Sequence, residues 1–144
     1  VARAELDFDQ SGRHSNTYGG NVLATTAALA TLDVLQGEDL VGNAARVGDH
    51  LRKRLLELQD RHERIGDVRG LGLMLAIDLV TDRRTKAFDA KAKDRVVEEA
   101  FKRGLVLLPC GRSSVRFIPP LCITREEVDA GIEVLDAALK AAGQ

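Results

Sequence analysis

The sequence predicts a two-layer α/β domain: a small β-sheet covered by helices and preceded by a long buried helix. Three observations lead to this fold class. Apolar residues recur at helical spacing over residues 39–62 and again over 128–139, they alternate along residues 73–80, and the predicted order is helix, helix, strand, helix, strand, strand, helix. A chain of 144 residues has the usual size of one domain and can bury a core.

Two helices are predicted in the first half of the chain. Asn21 can cap a helix over residues 22–36, whose segment VLATTAALATLDVLQ is apolar or small on most sides. We expect that helix to be buried against more than one layer. A second helix over residues 39–62 has an apolar stripe made of Leu40, Ala44, Val47, Leu51, Leu55 and Leu58. The opposite face is expected to be solvated and carries Arg52, Lys53, Glu57 and Asp60.

The next segment, IGDVRGLGLMLAIDLV over residues 65–80, combines glycines with strand alternation. Gly66, Gly70 and Gly72 disfavour a helix. From Leu73 onward the side chains alternate, which predicts a strand with both faces largely covered. A lone GLG is not the GxGxxG dinucleotide fingerprint, so we interpret it as a turn and a tight strand start.

The second half of the chain predicts one helix, two short strands and a last helix. The polar segment TDRRTKAFD leads to a helix over residues 90–103, which Gly104 ends. Its predicted inner face consists of Val96, Val97, Ala100 and Phe101. LVLLPCG and SVRFIPPLCI predict two strands joined by a turn at residues 111–113, and the double proline ends the second strand. TREE fits a capping box before a helix with Val128, Ile132, Leu135 and Leu139 inward.

Composition limits the classes of function. The formal net charge of −1 gives no electrostatic case for nucleic acid or an anionic membrane as a partner. No apolar run approaches the ~20 residues of a membrane span. Cys110 and Cys122 are too few for a disulfide framework and lack CxxC spacing, which favours a reduced, cytoplasmic location.

No catalytic or metal-binding set is visible. His50 and His62 lie on the charged helix and form no ligand set with the cysteines, so we expect no metal. No Ser-His-Asp or Cys-His arrangement is present. All lysines have polar or charged surroundings, unlike a lysine that forms a Schiff base: they are Lys53, Lys86, Lys91, Lys93, Lys102 and Lys140.

The stretch HSNTYGGN, residues 14–21, has the composition of an anion site. Its paired glycines permit close approach of a ligand, and Asn21 begins a helix whose first amides are unpaired. Thr17 adds a hydroxyl group, and Arg13 and His14 add positive charge. A phosphate suits this set best. The alternative is a glycine-rich loop with a helix cap and no ligand.

Arg116, in SVRFIPPLCIT, is a candidate carboxylate ligand. Its side chain points opposite to Val115 and Phe117, which places it to face a cleft. A guanidinium beside apolar surface needs a carboxylate partner, which its planar fork matches with two hydrogen bonds. That partner could be a substrate or an internal Asp or Glu, or the arginine could lie in water at the sheet edge.

Four stretches in series resemble the class III (subgroup II) pyridoxal-phosphate-dependent aminotransferases. HSNTYGGN with its Ala-rich helix resembles the region just after the cofactor lysine. IGDVRGLGLMLAIDLV resembles the strand region of the C-terminal small domain, and GLVLLPCG and VRFIPPLCIT resemble its last two strands. The nearest members are 4-aminobutyrate aminotransferases, followed by acetylornithine and ornithine aminotransferases.

The resemblance implies the fold-type I architecture with pyridoxal 5′-phosphate. Residues 1–20 would be a remnant of the large cofactor-binding domain, and residues 21–144 the linking helix and the C-terminal small domain. Thr17, and more weakly Asn16, would contact the phosphate of the neighbouring subunit's cofactor in a homodimer. Arg116 would bind the carboxylate of the amino acid or 2-oxo acid. The family's usual proline after GGN is Val22 here, which concerns helix geometry more than binding.

In the family the cofactor lysine lies upstream of the threonine, so this sequence has no counterpart of it. We therefore expect a C-terminal fragment of an aminotransferase, inactive alone. The parent enzyme would transfer an amino group from an ω-amino donor resembling 4-aminobutyrate to a 2-oxo acid such as 2-oxoglutarate. The alternatives are an amino-acid racemase or epimerase of the same family and a non-catalytic interaction domain.

Overall fold

A computed structural model describes residues 17–143 of the chain. The elements in chain order are α1 (Val22–Gly37), α2 (Leu40–Arg61), β1 (Ile65–Leu71), β2 (Met74–Asp82), β3 (Ala87–Phe88), α3 (Ala90–Lys102), β4 (Leu108–Cys110), β5 (Ser114–Phe117) and α4 (Arg125–Ala142). They form two compact units, one up to Glu38 that contains α1 and one from Asp39 onward that contains the rest. The assignment of residues 1–20 to a larger cofactor-binding domain stays a prediction.

The first unit contains the predicted helix α1. The Asn21 side chain accepts a hydrogen bond from the Ala24 amide at 2.9 Å, and the helix ends at Gly37. Within residues 17–143 the predicted burial of this helix is not observed, since no residue of α1 is buried and Leu23 is 82% exposed. Apolar side chains on most sides of a helix make burial favourable, but they do not supply the surface that would cover them.

The second unit is a small antiparallel sheet under helices, as predicted. The strand order is β1-β2-β5-β4, and the short β3 pairs with β2. Helices α2 and α3 pack on the sheet, and α4 packs on both of these helices. The largest fully buried apolar side chains are Leu55, Leu58, Ile65, Leu75, Ile77, Leu79, Val96, Val115 and Leu135. The predicted apolar stripes of the second and last helices supply much of this core.

The strand β1 is an element that the sequence analysis missed. Residues 65–71 were expected to form a turn and a strand start, but they pair with β2 as a hairpin. A β-bulge between Ile65 and Asp67 shifts the register, so that the apolar residues of β1 do not alternate regularly. The period-two signal that identifies a strand is therefore weak in this segment.

The glycines of the hairpin have a structural role, as predicted. Gly72 turns the chain with a φ of +55°, and Gly70 has a φ of +130°. The turn packs on α2 at Gly48, where a Cβ atom would lie 2.3 Å from the carbonyl carbon of Gly72. The hairpin turn approaches α2 so closely at this point that there is no room for a side chain at Gly48.

The two faces of β2 are covered to different extents. The predicted inward residues are buried: Leu73, Leu75, Ile77 and Leu79. On the other face Val80 is buried, but Met74 is 63% exposed, and Ala76 and Asp78 are only partly buried. Within residues 17–143 the expectation of two largely covered faces therefore fails over residues 74–78, because an apolar residue such as Met or Ala tolerates exposure and does not require burial.

The last helices begin and end where the sequence predicts. Asp89 caps α3, and Gly104, with a φ of +86°, follows its end. Thr124 and Glu127 form the predicted capping box of α4. Phe101 was expected to point inward but is 67% exposed, because the buried stripe of α3 runs every fourth residue through Ala100 and the next residue lies about 100° around the helix.

Candidate functional site

The uncovered face of the sheet, called the open face below, carries two arginines. Ala76 on β2 pairs with Arg69 on β1 and with Arg116 on β5. Directly opposed residues in antiparallel strands point to the same side of a sheet, and Val115, the neighbour of Arg116, is buried on the other side. Arg69, Ala76 and Arg116 therefore form one row on the open face, which Leu108 of β4 extends.

The adjacent row of the open face is polar. Asp78 on β2 pairs with Asp67 on β1 and with Ser114 on β5. This row lies two residues along β2 from Ala76, so Asp78 is a diagonal neighbour of both Arg69 and Arg116. The carboxylate of Asp78 is thus on the same face of the sheet as the side chains of Arg69 and Arg116, and between their strands.

Arg69 is neutralised within the sheet. Its Nη1 and Nη2 donate to the two carboxylate oxygens of Asp78, the second at 2.9 Å, and Nη1 also donates to Asp67 at 3.3 Å. The Ser114 hydroxyl donates to Asp78 and accepts from Arg69 at 3.1 Å. Burial works to raise the pKa of Asp78, but the hydrogen bonds from Arg69 and Ser114 outweigh it and hold this pKa below its ordinary value.

Arg116 has a different environment. It is exposed, and no ion pair joins it to any residue within 17–143. Its cross-strand partners, Ala76 and Leu108, carry no charge. The internal ion pair that the sequence left open is therefore not found in this range. The arrangement leaves the planar guanidinium fork accessible to a carboxylate from outside the domain.

An apolar cavity of about 330 Å³ borders Arg116. Its wall is formed by α4, by the end of β5 and by residues 105–108. Glu127 and Arg116 are the charged residues of this wall, and the apolar ones include Leu105, Leu107, Ile118, Ile123 and Ile132. Arg116 is thus one of the residues that border this cavity, and its role as a carboxylate ligand stays a prediction.

The second candidate group lies in the turn before α1. Thr17 is exposed there, and Gly20 has a φ of +75° with no atom within 4 Å of the position that a Cβ would take. The first turn of α1 contains no acidic residue, so no local negative charge opposes an anion at the helix N-terminus. The loop over residues 17–20 is therefore exposed, and its role as a phosphate site stays a prediction. Asn16, Arg13 and His14 lie outside the described residues.

Within residues 17–143, no group of His, Cys, Asp or Glu is arranged to hold a metal ion. His50 and His62 instead contact Asp129 and Asp136 of α4, at 3.0 and 2.5 Å. No helix of this range has both the length and the apolar character needed to cross a membrane.

The lysines of the chain are exposed or paired with polar groups. Lys93, Lys102 and Lys140 form ion pairs with Asp94, Glu98 and Asp136 at 3.2, 2.8 and 2.8 Å. Lys86 donates to the carbonyl oxygen of Gly66, and Lys53 and Lys91 are exposed. That this chain contains no lysine that forms a Schiff base stays a prediction.

Sequence reasoning missed the polar network of Arg69, Asp78 and Ser114. The available signal was the presence of Asp67, Arg69 and Asp78, three charged residues inside an otherwise apolar and glycine-rich segment. Their contact depends on the register of the β1–β2 hairpin, which the bulge shifts. Ser114 comes from a distant strand, so its contribution required the fold.

Comparison with known proteins identifies the family. The sequence matches the aminotransferase class-III family over residues 3–139. It is 44% identical over 128 residues to isoleucine 2-epimerase of Lentilactobacillus buchneri, covering 89% of this chain and 28% of that protein. It is 38% identical over 147 residues to the 4-aminobutyrate aminotransferase GabT of Escherichia coli (strain K12), covering 100% of this chain and 34% of that protein.

The fold also matches solved structures. An amine transaminase from an uncultivated Pseudomonas species, in its PLP-bound form, superposes with a TM-score of 0.86 and 41% identity over 92% of this chain and 30% of that chain. The chain therefore spans about a third of the length of the relatives it matches. The resemblance indicated by the four sequence motifs is confirmed, and the chain belongs to the class-III aminotransferase family.

Proposed function

We propose that this chain forms the C-terminal part of a pyridoxal 5′-phosphate-dependent aminotransferase and that Arg116 binds the carboxylate of its substrate. One observation carries the assignment. Arg116 is an exposed guanidinium on the open face with no ion pair in residues 17–143, while its neighbour Arg69 is fully paired. A guanidinium with uncharged cross-strand partners favours an external anion, and the family's substrates carry a carboxylate.

Arg116 would act by binding and orientation. Two parallel hydrogen bonds from its fork fix the plane of a carboxylate and so fix the direction of the bond to the neighbouring carbon. Placing a reacting carbon in this way removes the entropic cost of alignment from the reaction step. The rigid antiparallel pairing of β5 with β2 and β4 keeps the base of the Arg116 side chain in place.

Thr17 and Asn16 would hold the phosphate of the cofactor bound in the neighbouring subunit of a homodimer. The exposure of Thr17 and the open space around Gly20 support this role for the described part of the loop. Pyridoxal phosphate supplies the electron sink for chemistry at the substrate carbon when it is bound. This chain would contribute Thr17 as a hydrogen-bond donor for the phosphate and Arg116 as the ligand of the substrate carboxylate.

The proposed reaction transfers an amino group from an ω-amino donor resembling 4-aminobutyrate to a 2-oxo acid such as 2-oxoglutarate. The similarity to GabT over the whole chain supports this substrate class. A second candidate is racemisation or epimerisation of an amino acid, which the 44% identity to isoleucine 2-epimerase favours. Both activities require a carboxylate clamp, so Arg116 has the same role in either case.

The full-length, cofactor-loaded protein that carries this chain separates the two candidates. Formation of glutamate from 4-aminobutyrate and 2-oxoglutarate supports the aminotransferase. A change in the configuration of L-isoleucine without any 2-oxo acid, and no glutamate, supports the epimerase instead. If neither reaction nor any related amino transfer is detected, the proposed function is wrong.

Arg116 is tested in the same protein. Arg116→Lys keeps the charge but loses the two-pronged geometry, so we expect a higher KM for the carboxylate substrate. Arg116→Ala should have the larger effect, about 2–4 kcal/mol in apparent binding if the site is shielded from water. The melting temperature should change little, because Arg116 has no ion pair in residues 17–143. Normal substrate kinetics with a lowered melting temperature would make Arg116 a structural residue.

A further inference from the structure

We propose that Arg69 is a positioning residue: by holding Asp78, it keeps that carboxylate away from Arg116 and leaves Arg116 available to the substrate. The inference rests on the proposed function, since it concerns how the carboxylate clamp is kept open. Arg69 itself need not touch substrate or cofactor. It acts through Asp78.

The sheet register places Asp78 where either Arg69 or Arg116 could pair with it. Ala76 lies opposite both arginines, and Asp78 follows two residues later on the same face of β2. Diagonal neighbours on antiparallel strands are about 7–8 Å apart at their backbones, which an arginine side chain can span. Asp78 is therefore placed to pair with an arginine on either side, and only one of these pairings leaves a clamp for a substrate.

Asp78 accepts three hydrogen bonds, two of them from Arg69. Both carboxylate oxygens accept from the Arg69 fork, and one of them also accepts from the Ser114 hydroxyl. Ser114 lies on the same strand as Arg116, two residues before it. The Asp78 carboxylate therefore accepts hydrogen bonds from both neighbouring strands, from Arg69 of β1 and from Ser114 of β5.

Charge supports the same arrangement. Asp67 and Asp78 are directly opposed on β1 and β2, a pairing that is unfavourable for two ionised carboxylates. Arg69 contacts both of them, at 3.3 Å to Asp67 and through its fork to Asp78. Arg116 could neutralise only one of the two, since Asp67 lies on β1, beyond β2. On the open face, Arg69 therefore pairs with both acids, and Arg116 has no ion pair in residues 17–143.

Removing the Arg69 charge should release Asp78 toward Arg116. The Asp78 side chain is only 21% exposed, so leaving its carboxylate without an ion pair would destabilise the fold. We therefore expect Asp78 to pair with the guanidinium of Arg116 instead. A substrate carboxylate would then have to displace an internal one. We expect Arg69→Gln to raise the KM for the carboxylate substrate about five-fold, with little change in kcat, as befits a partly exposed ion pair.

The decisive measurement is rescue in the full-length, cofactor-loaded enzyme. Asp78→Asn in the Arg69→Gln background removes the competing charge, so the double variant should return KM to within about two-fold of the parent value. Arg69→Lys, which keeps a positive charge beside Asp78, should show a smaller rise than Arg69→Gln. A calorimetric titration with glutarate, an unreactive dicarboxylate, should give dissociation constants in the same order.

Arg46→Gln is the matched control. Arg46 also forms an ion pair, with Asp39 at 2.9 Å, but on α2 and away from the sheet. Its loss should leave KM unchanged. If Arg69 merely stabilises the fold, Arg69→Gln should lower the melting temperature, the double variant should lower it further, and KM should not recover. That result would overturn the inference, as would an Arg69→Gln enzyme with the parent KM.

A parallel Arg116→Gln variant separates this inference from the proposed function. If Arg116→Gln raises KM and Arg69→Gln does not, only the role of Arg69 is wrong. If Arg116→Gln leaves KM and glutarate binding unchanged, the carboxylate clamp itself is wrong and the role of Arg69 is overturned with it. If Arg69→Gln does not fold, Arg69→Lys and its double variant with Asp78→Asn provide the same comparison.

Discussion

At the scale of single residues, the environment of a side chain decides its role more than its type does. Arg69 and Arg116 lie on the same face of the same sheet with Ala76 between them. One is paired with two carboxylates, and the other has no ion pair in residues 17–143. A sequence reader finds two arginines in strand-like segments and cannot tell them apart, because the difference lies in the cross-strand neighbours.

Gly48 gives a prediction at this scale. A Cβ at Gly48 would lie 2.3 Å from backbone atoms of Gly72, which cannot move aside as a flexible side chain could. We expect Gly48→Ala to lower the free energy of unfolding by about 1–3 kcal/mol, as overpacking of a filled core does. Chemical denaturation of the protein measures this change.

The matched control is Gly131→Ala. Gly131 also lies inside a helix, α4, but a Cβ there would meet only Leu105 at an ordinary distance of 3.9 Å. Alanine costs less conformational entropy than glycine in a helix, so this variant should gain about 0.5–1 kcal/mol. Equal effects at the two positions would mean that the contact between α2 and the hairpin turn is looser than the structure indicates.

At the scale of elements, the helices could be predicted closely and the sheet only in part. Helix ends are encoded locally: Asn21, Asp89 and Thr124 accept hydrogen bonds from their own helices, and these residues lie within a turn of the amides that they cap. The hairpin depends on a bulge and on contacts with α2, neither of which leaves a periodic signal. The open face likewise follows from the absence of a covering layer among residues 17–143, which no single strand encodes.

The contact between α2 and α4 gives the prediction at this scale. Asp136 of α4 accepts hydrogen bonds from His62 at 2.5 Å and Lys140 at 2.8 Å, and Arg61 pairs with it at 3.2 Å. Burial works to raise the pKa of Asp136, but the hydrogen bonds of Lys140 and His62 and the charge of Arg61 outweigh it. The pKa is thus lowered from its ordinary value of 3.8.

The sign of the pH dependence follows from this direction. A carboxyl group whose pKa is lower in the folded state stabilises the fold above its ordinary pKa of 3.8, and this contribution is lost as the pH falls through the folded value. Asp136→Asn should therefore cost about 1–2 kcal/mol near pH 7, a value reduced by partial solvent screening. The difference from the parent should shrink below pH 3.8.

Asp60→Asn is the control for this series, because Asp60 is exposed on α2 and has no ion pair in residues 17–143. It should change stability little at any pH. Unfolding followed across the acid range gives both curves. A destabilisation by Asp136→Asn that stays constant with pH would assign its effect to packing and not to charge.

At the scale of the whole molecule, the chain consists of two units with different surroundings. The unit from Asp39 onward has its own core of buried side chains, while no residue of α1 is buried. The chain spans about a third of the length of its relatives. The apolar composition of α1 predicts that this helix is buried, but within residues 17–143 no other element covers it.

This contrast predicts that the 144-residue chain associates through α1 when it is produced alone. Leu29 and Leu32, 63% and 53% exposed, lie one helical turn apart and share a face with enough apolar area to favour contact with another molecule. Sedimentation velocity should show species larger than a monomer that grow with concentration. Replacing both leucines with Glu, a good helix former, should shift the distribution toward monomer without loss of helix by circular dichroism.

Val41→Glu is the control, because Val41 is 74% exposed on α2 and its change should not alter the distribution. A parent chain that stays monomeric at high concentration would show that the exposed face of α1 does not drive association.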